Sequence, residues 1–429
     1  MPAYLKQAPE RPLGPSADVA ERVGSILRDI EAAGAEGVRR YSKEVDGWDP
    51  PSFRLSNEEI ATTCSRVPDD LRAHIDWAAA GVRRFAEAQL ACIAPLETEM
   101  APGVTLGHRH IPVASVGAYV PGGRYRLVSS ALMSVMTAKV AGVRRVVAMS
   151  PPHEDGIYAP TVYAMEVAGA DEIYALGGVQ ALGALAFGAL DGLDPVDMVV
   201  GAGNDYVAEA KRQLFGRVGI DLLAGPTEIL VIADDSARPR VVAIDLLSQA
   251  EHGPTSPAVL VTTSGRLGAL VLEEIDGLLA TWPTAEVTRS SWEAFGTVVV
   301  AGDVQEAVEL SDAFAPEHLE LQVADPGPYE ARLTNYGSLF VGEWTTVTFG
   351  DKGIGTNHTL PTGGGARYTG GLWVGKFLKT VTFQTLTREA SRSAATHASA
   401  ISTAEGMHGH ALSADLRLTT EDTGGPAGA

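Results

Sequence analysis

The sequence predicts an α/β fold with two Rossmann-like parallel-sheet domains, a helical N-terminal region and a helical C-terminal extension. Apolar runs of strand length begin to alternate with helical stretches near Pro112, which is the rhythm of βαβ units in a parallel sheet. The same rhythm starts again at Ile229. Because 429 residues exceed what one ordinary hydrophobic core accommodates, at least two domains are expected.

The N-terminal region is predicted to be scaffold without chemistry. Residues 1–17 are expected to form an arm with little regular structure. Residues 18–41 have helical spacing with many charges, and residues 57–90 are predicted to form two more helices that start near Ser56 and Pro68.

The first α/β run offers a candidate nucleotide crevice. Glycine-containing turns at 119–124, 176–180 and 200–204 follow predicted strands, where open α/β sheets place their ligands. None has the six-residue glycine fingerprint of dinucleotide folds, and a single glycine turn more often marks only a tight bend. Three such turns in one region favour a cofactor site. The predicted strands are 113–120, 145–149, 172–176 and 197–201.

The second run places strands at 229–234, 258–262 and 297–301. After Gly370 the chain loses strand character, and it ends in a Gly/Pro tail that is expected to be disordered. The predicted domains are an arm (1–17), a first α/β domain with a candidate metal site (18–118 and 229–370), a second with the candidate nucleotide crevice (119–228), and a C-terminal helical extension (371–429).

Composition limits the function. The net charge of −20, from 33 basic and 53 acidic residues, argues against a nucleic-acid surface and requires a local cluster of cations to hold any anionic substrate. No apolar run of about 18 residues is long enough to span a bilayer, so no membrane partner is expected. The first nine residues do not resemble a signal peptide, and Cys64 and Cys92 form no motif, which together favour a reducing cytoplasm.

Polar residues with metal-binding chemistry cluster in a few segments. Gln249 and His252 lie three residues apart in a predicted helix, so an imidazole nitrogen and an amide oxygen share one face and suit zinc. A polar helix face that ends at Gly253 explains the same letters. Further acid, base and ligand groups are Glu317, His318, Asp351, His358, Glu405, His408 and His410.

Six separated motifs resemble the histidinol dehydrogenase family over almost the full length. They are 248–253 (SQAEHG), 315–319 (APEHL), 203–204 (GN) with Tyr206 and 209–212 (EAKR), 224–228 (AGPTE), 355–358 (GTNH) with 360–362 (LPT), and 405–406 (EG) with His410, whereas His408 matches no residue of the family. The resemblance implies a zinc enzyme that uses NAD to oxidise a primary alcohol twice, through an aldehyde, to a carboxylate.

Carried over to this chain, the resemblance implies specific roles. It implies a homodimer in which the C-terminal segment of one subunit completes the site of the other. Zinc would fix the substrate hydroxyl, neutral His318 would take its proton, and Glu317 would activate water for attack on the aldehyde. The implied residues are Gln249, His252, Asp351 and His410 for zinc, Glu317 and His318 for acid/base catalysis, Tyr119, Gln180 and Asn204 for NAD, and Thr227, His358 and Glu405 for the substrate.

Variant residues resemble the sulfopropanediol dehydrogenase branch, whose substrate is a dihydroxypropane bearing a sulfonate. Arg124 and Arg126 follow Pro-Gly-Gly, where small uncharged residues are usual, and Lys352 follows Asp351, where an aromatic residue is common. We expect the two arginines to bind the substrate anion, such as 2,3-dihydroxypropane-1-sulfonate. The alternative is that they contact the phosphates of the cofactor or bulk solvent.

Competing functions remain at this stage. Histidinol is the nearest alternative substrate, since zinc and Glu405 would hold its imidazole. A zinc hydrolase without a redox role and a binding protein that has lost activity are the others.

Overall fold

The structure is a computed structural model that describes residues 2–9, 16–153 and 156–419. The chain divides into two compact units. The first contains the residues up to Leu90 together with Val113–Phe377, and the second contains Ala91–Pro112 together with the chain from Leu378 onward. The expected Gly/Pro tail lies outside the described residues.

The strands are β1 (Ala3–Lys6), β2 (Leu96–Ala101), β3 (Val104–Pro112), β4 (Ser115–Tyr119), β5 (Arg145–Ser150), β6 (Glu172–Ala175), β7 (Met198–Val200), β8 (Gly219–Ile220), β9 (Ile229–Ala233), β10 (Ala258–Thr262), β11 (Gly296–Val300), β12 (His318–Gln322), β13 (Ser338–Val341) and β14 (Leu378–Leu386).

The α-helices are α1 (Ala17–Ala33), α2 (Ala35–Asp46), α3 (Asn57–Ser65), α4 (Asp69–Ala91), α5 (Val128–Ala131), α6 (Thr137–Val140), α7 (Ala159–Ala168), α8 (Gly178–Phe187), α9 (Asp205–Leu214), α10 (Pro239–Ala250), α11 (Gly265–Leu279), α12 (Ala285–Phe295), α13 (Val304–Phe314), α14 (Gly327–Glu330), α15 (Val347–Asp351), α16 (Arg388–Ala404) and α17 (His408–Thr419). A π-helical segment, Leu132–Met136, joins α5 to α6, and the 3-10 segments are Gly365–Arg367 and Val374–Phe377.

The first unit contains a six-stranded sheet in the order β1-β11-β10-β9-β12-β13. Its strands are parallel except for β1, which pairs antiparallel with β11 at the edge. Strands β9, β10 and β12 are buried along their full length, because α10, α11 and α12 cover one face and α13 covers the other. Burial on both faces explains the continuous apolar runs of β9 and β10.

The first unit also contains a fully parallel five-stranded sheet in the order β6-β5-β4-β7-β8. From β4 the chain forms β5 and then β6 on one side of that strand. It then crosses back to form β7 on the other side of β4. This reversal creates a topological switch point between β4 and β7, which is where open α/β sheets bind ligands outside the carboxyl ends of the strands. The mixed α/β fold class predicted from the sequence is therefore confirmed.

The second unit combines a three-stranded antiparallel sheet, in the order β14-β3-β2, with α16 and α17. The expectation that strand character ends after Gly370 was wrong, because β14 pairs with β3 over nine residues. Strand β14 (LKTVTFQTL) mixes single apolar residues with Lys, Thr and Gln and is mostly exposed, so it lacks the apolar run that identified the buried strands.

The N-terminal arm was also expected to have little regular structure, and this was wrong for Ala3–Lys6, which form β1. Backbone pairing with β11 and the hydrogen bond from Lys6 Nζ to the Gly296 carbonyl (2.8 Å) hold this short edge strand. The predicted helix 18–41 is divided at Gly34, whose φ of 58° breaks the chain into α1 and α2. No helix within residues 2–9, 16–153 and 156–419 is both long and apolar enough to cross a membrane.

Candidate active site

A cavity of about 400 Å³ brings three of the four predicted metal ligands together in the first unit. It lies between the segment that follows β4 and the amino edge of the six-stranded sheet, where α10 ends and α15 passes. Its lining is Tyr125, Arg126, Leu127, Tyr158, Ser248, Gln249, Glu251, His252, Val347, Thr348, Asp351 and Lys352.

The end of α10 positions Gln249 and His252. The helix ends at Ala250, one turn earlier than predicted, and the His252 amide donates to the Gln249 carbonyl at 3.2 Å. His252 Nδ1 lies 3.2 Å from the Ser248 carbonyl oxygen, which leaves Nε2 as the nitrogen for a metal. The Gln249 amide nitrogen donates to Thr227 Oγ1, so its carbonyl oxygen is the metal-binding atom.

The carboxyl end of α15 supplies Asp351. Burial alone would raise the pKa of this carboxyl group, but His358, His318 and Lys352 outweigh burial and hold the pKa below its ordinary value. The group is therefore an anion at neutral pH, as a metal ligand must be. His358 Nδ1 lies 3.0 Å from the Asp351 carbonyl oxygen and fixes the loop that follows α15.

The donor set of the first unit fits a zinc site that takes a further ligand from elsewhere. An amide oxygen, an imidazole nitrogen and a carboxylate face one cavity, which matches the ligand types that zinc accepts. Within the part of the chain that the structure describes, no three His, Cys, Asp or Glu side chains form a group that could hold a metal ion on their own.

Glu317 immediately precedes β12 and His318 begins it, and both side chains are buried. Ala315, with a left-handed φ of 53°, ends α13 and turns the chain directly into this strand. His318 pairs in register with Ile229 of β9, and its Nδ1 lies 3.0 Å from the Glu228 carbonyl oxygen.

The environment of His318 favours its charged form. Burial lowers its pKa, but the Glu317 carboxylate, Asp351 and the Glu228 carbonyl raise it to about 9. A divalent cation held by Asp351 would oppose these negative groups and favour the neutral imidazole. His318 Nε2 is buried without a hydrogen-bond partner and lies 3.9 Å from Asp351 Oδ1.

Two hydrogen bonds fix the carboxylate of Glu317. The Thr227 hydroxyl and the Glu228 amide both donate to Glu317 Oε2, the latter at 2.9 Å. Thr227 and Glu228 immediately precede β9, so parallel pairing of β9 with β12 brings two distant motifs into contact. His358 completes the surroundings through a 2.8 Å contact between its Nε2 and Ser130 Oγ.

The three predicted nucleotide contacts lie at the carboxyl edge of the five-stranded sheet. Tyr119 ends β4, and its hydroxyl accepts a hydrogen bond from the Gly178 amide at 3.2 Å. Burial raises the pKa of Tyr119 to about 12, so the phenol is neutral. Gln180 lies in the first turn of α8, and Asn204 caps α9 beside the switch point. Gln180 Nε2 donates to Asp46 Oδ2 at 2.9 Å.

Other predicted residues lie elsewhere. Arg124 is exposed and does not line this cavity, whereas Arg126 does. Glu405 and His410 belong to the second unit and are exposed, as is His408.

The chain matches the family model described as histidinol dehydrogenase over residues 10–418. The chain belongs to the histidinol dehydrogenase family. It is therefore an NAD-dependent oxidoreductase of the class that converts an alcohol to an acid. The crystal structure of histidinol dehydrogenase from Elizabethkingia anophelis has a TM-score of 0.89 at 32% identity, covering 95% of this chain and 94% of that one.

Two relatives bear on the substrate. A histidinol dehydrogenase homolog of Shouchella clausii is 52% identical over 97% of this chain and 99% of its own length. Sulfopropanediol 3-dehydrogenase of Ruegeria pomeroyi is 47% identical over 97% of this chain and 96% of its own length.

Sequence reasoning missed several residues of this family member that support the site. Tyr125 donates its hydroxyl to the Glu251 carbonyl at 2.9 Å, which ties the segment after β4 to the end of α10. Lys352 was noted only as a variant letter, yet it lines the cavity. Its adjacency to Asp351 was the available signal. Nothing local in the sequence distinguishes Tyr125 or Ser130.

A buried pair of carboxyl groups also escaped notice. Gln322 Nε2 donates to Asp245 Oδ2 (2.8 Å) and to Glu320 Oε2 (3.1 Å). Thr346 Oγ1 donates to Asp245, and the Val347 amide donates to Glu320, each at 3.1 Å. The pair therefore joins α10, β12 and α15, the three elements that carry Gln249, His318 and Asp351.

Burial and the neighbouring Asp245 carboxylate raise the pKa of Glu320 to about 8, and burial also raises the pKa of Asp245. Because folding raises the pKa of this acid, its protonated form favours the folded state. Its contribution to the free energy of unfolding is complete below the unfolded-state pKa of about 4.3, and it is lost as the pH rises through the folded-state pKa. We expect the unfolding midpoint in urea to fall between about pH 5 and 9 for the wild type and less steeply for Glu320→Gln, which stays neutral.

The matched control is Glu87→Gln, which changes an exposed carboxylate on α4 and should follow the wild-type pH dependence. If the unfolding midpoint fell equally steeply with pH in Glu320→Gln and in the wild type, the raised pKa of Glu320 would be contradicted.

Proposed function

We propose that this enzyme oxidises the primary alcohol of an anionic small molecule, such as 2,3-dihydroxypropane-1-sulfonate, through the aldehyde to the carboxylate. The observation that carries the proposal is the position of Arg126, which lines the same cavity as Gln249, His252 and Asp351. On a chain with a net charge of −20, a cation at this position supplies the local attraction that an anion requires.

The residues that line the cavity fit zinc as the resident metal. Gln249, His252 and Asp351 would hold it, with His410 of the partner subunit as the fourth ligand. Zinc bound there would supply Lewis acidity that lowers the pKa of the substrate hydroxyl. Thr227, His358 and, from the partner subunit, Glu405 would orient the substrate.

His318 and Glu317 perform the proton chemistry in this proposal. His318 Nε2 accepts the hydroxyl proton as the alcohol is oxidised to the aldehyde. Glu317 then accepts a proton from water as the water oxygen adds to the aldehyde carbonyl and gives the hydrate. NAD bound at the site would accept the hydride in each of the two oxidations. One alcohol, one water and two NAD thus yield one carboxylate, two NADH and three protons.

The switch-point crevice is the proposed NAD site. Tyr119, Gln180 and Asn204 follow different strands of the five-stranded sheet and converge at its carboxyl edge, which is the position of cofactors in open α/β sheets. The segment after β4 continues from this edge to Tyr125 and Arg126 in the metal cavity, so the chain itself links the two proposed sites.

We infer a homodimer from the surface of the second unit. Helices α16 and α17 expose apolar side chains together with the predicted site residues Glu405 and His410, and apolar exposure of this kind marks an interface. The exposed apolar residues there are Ile401, Met407, Leu412, Leu416 and Leu418.

Histidinol is the second candidate substrate, favoured by the match to the crystal structure of a histidinol dehydrogenase at a TM-score of 0.89. Its cationic amine and imidazole gain nothing from Arg126. A zinc hydrolase and an inactive binding protein have no support once the chain is placed in a family of NAD-dependent oxidoreductases.

A substrate panel separates these possibilities. Zinc-loaded enzyme is assayed for NADH at 340 nm with 2,3-dihydroxypropane-1-sulfonate, L-histidinol and glycerol, where 340 nm is roughly the absorption maximum of the reduced nicotinamide. We expect rapid formation of two NADH per sulfonated alcohol and slow or no reaction with the other two. Rapid turnover of histidinol alone would assign the enzyme to histidinol.

Removing the proposed base gives a second prediction. The His318→Ala variant should lose roughly 10²- to 10⁴-fold in kcat for the alcohol, as is typical of a general base, while zinc content and NAD binding stay unchanged. The matched variant Glu317→Gln keeps the acceptor for Thr227 and should impair oxidation of the aldehyde more than oxidation of the alcohol. A wild-type rate for His318→Ala would remove His318 from the mechanism.

A further inference from the structure

Two cations, Arg126 and Lys352, occupy the wall of the metal cavity. Both line the cavity of about 400 Å³ that contains Gln249, His252 and Asp351. Both also line a neighbouring cavity of about 340 Å³. They come from different parts of the chain, since Arg126 follows β4 and Lys352 follows α15. An anion that enters this space therefore meets positive charge from two independent segments.

The charge of Arg126 is not neutralised by any carboxylate among residues 2–9, 16–153 and 156–419. Its guanidinium lies 2.9 Å from His153 Nδ1 and 5.7 Å from the centre of the Tyr158 ring, so its near neighbours are an imidazole and an aromatic face. Among the residues that the structure describes, no carboxylate oxygen lies within the 4.0 Å ion-pair distance of this side chain. Stacking on Tyr158 orients the planar fork and leaves its charge available.

Lys352 has one acidic neighbour. Its Nζ lies 3.9 Å from Asp351 Oδ2, and its side chain is 55% exposed. A distance of 3.9 Å is too long for a direct hydrogen bond, so the ammonium keeps its donors for another partner. Because Lys352 directly follows Asp351, a proposed metal ligand, its backbone is held at the wall of the metal cavity. Arg124, by contrast, lines neither cavity.

We propose that Lys352 and Arg126 together form the subsite for the sulfonate group of the substrate, and that Arg124 is not part of it. This inference rests on the proposed function. A sulfonate is a compact anion with three oxygens, and it can accept the planar donors of a guanidinium on one side and a lysine ammonium on another. The subsite holds the end of the molecule opposite the oxidised hydroxyl and excludes substrates whose corresponding end is cationic.

Steady-state kinetics with matched variants test the subsite. Lys352→Met and Arg126→Met remove the charge and keep much of the side-chain length. Each should raise KM for 2,3-dihydroxypropane-1-sulfonate by roughly 10- to 100-fold, the loss typical of one hydrogen bond to a charged group, and leave KM for NAD unchanged. Lys352→Arg retains the charge and should stay within a few-fold of the wild type.

The controls separate this subsite from other arginines. Arg240→Met removes an exposed cation at the opposite end of α10 and should leave both KM values unchanged. If Arg124→Met raises KM for the sulfonated alcohol and Lys352→Met does not, the inference is overturned. Equal increases in KM for NAD and the alcohol would also overturn it, because the two cations would then contact the cofactor.

A binding measurement keeps the inference separate from the proposed reaction. Isothermal titration calorimetry of zinc-loaded protein with propane-1-sulfonate requires no turnover. Binding by the wild type and loss of binding in Lys352→Met would support the subsite even if the dihydroxy compound were not oxidised, in which case only the proposed function would fail. Absence of propane-1-sulfonate binding to the wild type, with folding confirmed by circular dichroism, would overturn the subsite itself.

Discussion

The arrangement of the candidate active site depends on a buried pair of carboxyl groups that share their hydrogen-bond partners. Asp245 belongs to α10 and Glu320 to β12, and Gln322 and the start of α15 donate to them. Two ionised carboxylates in this space would repel each other, so the pair is stable with one proton between them. The same three elements carry Gln249, His318 and Asp351 to the cavity.

The site combines opposite edges of two parallel sheets. The five-stranded sheet presents its carboxyl edge, which carries Tyr119, Gln180 and Asn204 and is the edge at which open α/β sheets bind ligands. The six-stranded sheet presents its amino edge, because Thr227 and Glu317 precede β9 and β12, and α10 runs back along the sheet to end there. His318 contacts Gln249 and lies 3.9 Å from Asp351, and both of these residues line the cavity together with the cations Arg126 and Lys352.

Much of the fold could be predicted because its central strands are buried on both faces. The runs at 229–234 and 258–262 are continuous and apolar, and the structure places β9 and β10 there. Strand β12 was missed because its sequence, HLELQ, alternates apolar and polar residues although every position is buried. Its polar side chains are partners of one another and of α10, and such tertiary pairing has no local sequence signal.

The features of the site that could not be predicted from the sequence also depend on tertiary contacts. Gln249, His252, Asp351, Glu317 and His318 were found through motifs, and the structure brings them together in the first unit. Arg124 and Arg126 are equivalent as letters and both are exposed, but only Arg126 lines the cavity. Lys352 was noted as a variant residue but was given no role, because a single lysine predicts no contact until its neighbours in space are known.

The central claim is that one divalent ion binds at the meeting point of these segments. Crystals of zinc-loaded protein, measured on both sides of the zinc absorption edge, test it most directly by anomalous difference maps. We expect one peak per subunit, bound by Gln249, His252 and Asp351 together with His410 of the partner subunit, at ligand distances of about 2.0–2.2 Å. A zinc peak remote from Gln249, His252 and Asp351, or no peak in their cavity, would contradict the account.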